Sequence, residues 1–183
     1  MNRTEFERQL KDIPLSFVQL RGHAERRWLP SFLETYLELV EQTPEVVPTQ
    51  EDYIQYYWTR WEMEPTMGVE ARARRAYASI VREHHLGYLL NEHFTVLEHD
   101  QWVDRKDGVD YVVDYMGAVY LVHAFVDSPM SRYYREKKAT RHPDSELGGT
   151  HVDLAINPDD AKRVGDWWVY DERHVEQLRS TMS

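Results

Sequence analysis

The sequence predicts an α/β protein: a helical N-terminal extension over 1–68, then a core over 69–183 in the order helix, strand, strand, strand, helix, strand. Two observations carry this. Up to about Asn91 the apolar residues recur at helical spacing, and from Phe94 the period changes to two. Met116-Gly117 then separates the apolar runs Val109 to Tyr115 and Ala118 to Val126, the pattern of a tight hairpin.

The elements follow in order. Asn2 to Lys11 reads as a short helix. Glu25 to Gln42 reads as a longer one, with Trp28, Phe32, Tyr36, Leu39 and Val40 near helical spacing, and Pro30 draws its start toward residue 30. Thr49, with Asp52 three residues on, caps a helix to about Glu62. From Val69 to Asn91 the face of Ala73, Ala76, Tyr77, Ile80, His84 and Tyr88 points inward, while Arg72, Arg75, Arg82 and Glu83 lie off it. Strands are expected at Phe94 to Val103, Val109 to Tyr115 and Ala118 to Val126. Ser128-Pro129 opens a helix over Met130 to Thr140. Thr150 to Ile156 and Trp167 to Tyr170 read as short strands, and Asp171 caps a last helix to about Ser180. The first three strands form a meander, and the helix after the third covers a face before the chain returns to the sheet.

Composition narrows the function classes. Apolar residues make up 42%, enough for a core, and aromatics 13%, with six Trp and twelve Tyr. The chain has no cysteine, which excludes disulfides, thiolate metal sites and cysteine nucleophiles and agrees with a cytoplasmic location. Met1 to Leu20 is charged and lacks a continuous apolar run, so no signal peptide is expected. No stretch approaches the roughly 20 apolar residues of a membrane span. A net charge of −10 argues against nucleic-acid binding through the whole surface. The exception is local: Arg132, Arg135, Lys137, Lys138 and Arg141 against the single acid Glu136. Arg132, Arg135, Lys138 and Arg141 are the expected phosphate contacts, with Tyr133 and Tyr134 able to stack a base or pack inward. The alternative is a solvated helix face paired with acids elsewhere. Gly148-Gly149 precedes a strand rather than opening a helix, so it is no phosphate-binding loop, and there is no Gly-x-Ser-x-Gly motif.

The element order, with Gly108-Val109-Asp110 opening the second strand, resembles the PD-(D/E)XK nuclease-like superfamily, over about Val69 to Ile156. The resemblance implies a restriction-endonuclease-like mixed sheet and metal-dependent hydrolysis of phosphodiesters, in defence or mobile-element biology. By position, Asp110 matches the first metal-binding acid and Glu83 the assisting helix acid. The acid-x-Lys slot of the third strand falls on His123-Ala124-Phe125, so His123 replaces the acid and Phe125 the Lys. Mg²⁺ prefers oxygen ligands to imidazole, whereas Mn²⁺ or Zn²⁺ accept it. A second register, Glu136-Lys137-Lys138, falls in a segment read as helix.

The catalytic set is thus Asp110, Glu83 and His123, and the metal set Asp110, His123 and Asp127, since 123, 125 and 127 share a strand side. The structural readings of the same residues are a strand-end acid, a core histidine and a capping aspartate. Two further function classes stay open. One is a catalytically inactive interaction module with a protein partner or a second copy of the chain. The other is a small-molecule metal hydrolase built on His123, His151 and Asp153, with His142 nearby in sequence.

Overall fold

The computed structural model describes residues 1–18, 29–98, 109–129, 131–133 and 148–182. The fold is mixed α/β, in two compact units: residues 1–85 with 163–167, and residues 86–162 with 168–183. The expected boundary at residue 68 lies near the start of the long helix α4 (Met67–His93), whereas the units divide inside that helix.

The first unit is helical: α1 (Arg3–Leu10), α2 (Phe32–Gln42), α3 (Gln50–Arg60) and α4 to His85. Each of the three short helices starts at a side chain that accepts an orphan backbone N–H. Asn2 accepts from Glu5, Ser31 from Glu34, and Thr49 from Asp52, whose carboxylate returns to the Thr49 N–H as a capping box. α2 therefore begins just after Pro30, and the earlier start at Glu25 lies outside the described residues. The core is aromatic: Phe6, Tyr36, Tyr53, Tyr57, Tyr77 and Trp167 are fully buried. Off the expected inward face of α4, Arg74 and Arg82 are buried as well, so the polar stripe is not simply solvated. Arg74 is held there by Glu51 at 2.7 Å and Glu70 at 2.8 Å, with Ser16 and Gln50 as further acceptors.

The second unit is a four-stranded sheet in the order β1 (Thr95–Glu98), β2 (Tyr111–Tyr115), β3 (Ala118–Val126), β4 (Thr150–Ile156). β1, β2 and β3 form the expected antiparallel meander, and β4 returns parallel to β3. The hairpin turn uses Met116 at φ 56° and Gly117 at φ 82°. Both are left-handed, which matches the twist of the flanking strands. A parallel return needs a crossover. Its start is visible where the Ser128 hydroxyl accepts the Ser131 N–H. The chain is helical at 129 and 131–133, and the rest of the expected helix at 130–140 lies outside the described residues.

One face of this sheet is the core: Tyr111, Val113, Val122, Val152, Leu154 and Ile156 pack with Leu86, Leu89 and Leu90 of α4 and with Val175 and Leu178 of α5 (Glu172–Thr181). Asp171 caps α5 as expected, accepting from Arg173. Trp167 forms a strand, β6 (Trp167–Val169), but in a separate two-stranded ladder with β5 (Lys162–Val164). β5 opens with Lys162-Arg163 and carries no strand-forming run, whereas β6, equally short, has Trp167-Trp168-Val169. Among the described residues, no helix is long and apolar enough to cross a membrane.

Candidate functional site

Strand alternation sends the other face of the second unit's sheet a different set of side chains. On β3 they are Leu121, His123 and Phe125, and in register beside them on β4 are His151, Asp153 and Ala155. Leu121 is fully buried and His123 is 9% exposed, while His151 and Asp153 are exposed.

Asp110 stands at the mouth of β2, one residue before Tyr111. Its N–H donates to the Val122 carbonyl at 3.0 Å, although the register partner of Val122 is Tyr111. Two consecutive residues thus oppose one, the geometry of a β-bulge, which often re-aims a side chain. The Asp110 carboxylate then accepts the Ala124 N–H at 2.6 Å, replacing the ladder acceptor that the bulge displaced. This is a strand-end role, and it fixes the acid against the slot His123-Ala124-Phe125. His123 in turn meets His151: Nε2 and Nδ1 are 2.7 Å apart, with the rings 5.0 Å apart and 11° from parallel. One ring donates and the other accepts, so one lone pair and one proton are shared between them.

The remaining sequence candidates stand elsewhere. Glu83 belongs to the first unit, where its carboxylate accepts from Ser79 at 3.0 Å. Asp127 follows β3 and is gripped by Arg132 through two bonds of 2.6 and 2.8 Å. The Arg132 guanidinium holds the Asp127 carboxyl below the usual carboxylate range. This ion pair occupies one expected metal ligand and one expected phosphate contact together. Arg135, Lys138, Arg141, Glu136 and His142 lie outside the described residues.

The donors on this face do not fit a hard divalent cation. One oxygen of Asp110 serves Ala124, Asp127 serves Arg132, and the two imidazoles bond each other. A separation of 2.7 Å is short for two donors sharing one ion. Among the described residues, three metal-ligating side chains converge at a different place: Glu92, His93 and Glu172. Sequence reasoning missed these, because Glu92-His93 and Glu172 close and open different helices and form no spacing motif. The chain matches no family model, and comparison with curated proteins and with solved structures returns no similar protein.

Proposed function

We propose that this chain is a nucleic-acid-processing or nucleic-acid-binding protein with a restriction-endonuclease-like core, and that binding is its stronger activity. The observation that carries the reading is the strand frame with its acid. An antiparallel meander with a parallel fourth strand holds Asp110 by a 2.6 Å bond against the third strand, beside the residues that stand in the acid-x-Lys slot. In that slot His123 replaces the carboxylate and Phe125 the ammonium, and His151 of the neighbouring strand bonds the His123 ring. Imidazole N–H groups can donate to a phosphate oxygen, and phosphate contacts supply most of the affinity of such proteins.

Mg²⁺-dependent hydrolysis is correspondingly weak or absent, since the acid-x-Lys slot itself, His123-Ala124-Phe125, carries neither a carboxylate for the ion nor an ammonium for the reacting phosphate. Losing a charged group at such a centre costs several kcal/mol of transition-state stabilisation. The Asp127–Arg132 ion pair also favours the second reading, an interaction module without catalysis, because it ties up one cation and one acid.

The experiment is binding and cleavage of single- and double-stranded DNA and RNA with Mg²⁺, Mn²⁺ and Zn²⁺, for the wild type, Asp110→Ala and His123→Ala. Salt-sensitive binding that His123→Ala weakens, without Mg²⁺ cleavage, is the expected result. Absence of salt-sensitive binding to every substrate leaves the interaction module. Robust Mg²⁺ cleavage abolished by Asp110→Ala overturns the account of the altered slot.

A further inference from the structure

A second cluster in the sheet unit has no part in the face around Asp110. Glu92 and His93 are the last residues of α4, and Glu172 is the first of α5. One donor atom from each, two carboxylate oxygens and an imidazole nitrogen, lie within 4.8 Å of one another. We propose that Glu92, His93 and Glu172 form a binding site for a first-row divalent cation of the Zn²⁺ type, which pins the end of α4 to the start of α5.

Paired acids at a surface are common, and they alone would not make a site. The imidazole supplies the independent observation. His93 Nε2 is buried and has no hydrogen-bond partner. It lies 3.6 Å from Glu172 Oε2, beyond hydrogen-bonding distance. Two donors sharing a tetrahedral ion at ~2.0–2.1 Å stand roughly 3.3–3.4 Å apart. Small side-chain movements therefore close the set around a cation. Charge agrees: two carboxylates neutralise a divalent ion, while the negative end of the α4 dipole is offset by the positive end of α5.

The donor set also selects the ion. Mg²⁺ seeks oxygen ligands in near-octahedral geometry, whereas one imidazole with two carboxylates suits Zn²⁺. Three protein ligands leave a coordination position for water. Glu92 and Glu172 are exposed, so the ion has a route in from solvent.

Arg179 sets the tautomer that metal binding must change. Its Nη2 lies 3.4 Å from His93 Nδ1, and its guanidinium lies over the Phe94 ring at 5.8 Å. An arginine donor facing Nδ1 keeps the neutral ring's proton on Nε2. A cation at Nε2 needs that nitrogen's lone pair, so the proton moves to Nδ1 and the Arg179 contact is given up. The arginine and the metal thus compete through one ring.

The test is calorimetric titration of the full chain, free of nucleic acid, with Zn²⁺ and separately with Mg²⁺. The variants are His93→Ala, Glu172→Gln, Arg179→Met and His123→Ala, each first checked for native circular dichroism. One Zn²⁺ per chain is expected, with a melting temperature that rises with Zn²⁺ and not with Mg²⁺. His93→Ala and Glu172→Gln each weaken binding by about tenfold or more, since each removes one of three protein ligands. Arg179→Met tightens it, and His123→Ala leaves it unchanged. Zn²⁺ binding lost in His123→Ala but kept in His93→Ala would overturn the proposal, as would no stoichiometric binding. Equal affinity for Mg²⁺ would overturn the choice of ion.

Discussion

In the helical unit, the buried tyrosines Tyr53, Tyr57 and Tyr77 each give their hydroxyl to a backbone carbonyl, of Phe32, Pro30 and Pro48. In the sheet unit, the polar groups of one face turn to one another or to a displaced strand: His123 to His151, and Asp110 to Ala124. Both arrangements satisfy buried polar atoms, but they differ in what remains. A tyrosine hydroxyl spent on a carbonyl completes a packed core and leaves a neutral group. The histidine pair instead keeps polar ring atoms on a face that is partly open to solvent. The first region keeps its tyrosines neutral within a packed core, and the second sets two histidines and an acid on a partly open sheet face.

The largest effect should come from cutting into the aromatic core. Trp167 is fully buried, its indole N–H donates to the Ile13 carbonyl at 2.8 Å, and its ring meets Tyr77 edge-on at 5.8 Å. Trp167→Ala is expected to cost about 3–5 kcal/mol in a denaturant titration, from the cavity and the orphaned carbonyl together. A loss below about 1 kcal/mol, the range of tolerant surface positions, would show that the aromatic cluster is not a cohesive core.

Alkali should attack the same region. Burial pushes the Tyr53 and Tyr77 hydroxyls well above their ordinary range, and Tyr57 up to about 12. Unfolded tyrosines lose their proton near pH ~10. Above that, the unfolded chain binds fewer protons than the folded one, so stability falls as pH rises toward the folded values. Each such tyrosine contributes a slope of at most about 1.4 kcal/mol per pH unit. Tyrosinate absorbance should therefore rise in step with loss of helix. Titration of all twelve tyrosines with the fold intact would contradict the buried-hydroxyl account.

A smaller effect tests the sheet unit's packing. Gly87 lies inside α4, where alanine would gain about 1 kcal/mol of helix propensity. A Cβ there would meet the Tyr111 hydroxyl at 2.6 Å and its ring carbon at 3.2 Å. Gly87→Ala is expected to destabilise by about 1–3 kcal/mol through overpacking. Tyr111→Phe in the same chain should recover much of that loss, because it removes the closest atom. Equal cost in both backgrounds would place the strain elsewhere.

The legible parts were those with local rules. Ser31, Thr49, Ser128 and Asp171 announced helix starts because a capping side chain acts within three residues. β3 and β4 were legible to the residue because nine and seven positions suffice to show a period of two. β5 was not, because Lys162-Arg163 gives no strand signal, whereas the equally short β6 was marked by its tryptophans. Burial of Arg74 was hidden because its partners lie in other elements: Glu51 in α3, and Ser16 before α2. For the candidate site, sequence named Asp110, His123, His151 and Asp153, and strand register explains the joining of the two histidines. It could not reveal that Asp127 would be taken by Arg132, since pairing five residues apart depends on how the chain turns after β3. Nor could it bring Glu92 and His93 to Glu172, a meeting of two helix ends set by tertiary packing.

The central claim is that the polar face of the sheet unit meets a phosphate backbone. The most direct measurement is an amide NMR titration of the ¹⁵N-labelled full chain with short single- and double-stranded DNA and RNA at low salt. The account predicts that the amides of Asp110, His123, Ala124 and His151 shift first, reverse on adding salt, and hold still in His123→Ala. Shifts confined to the helical unit, or none with any nucleic acid, would contradict it.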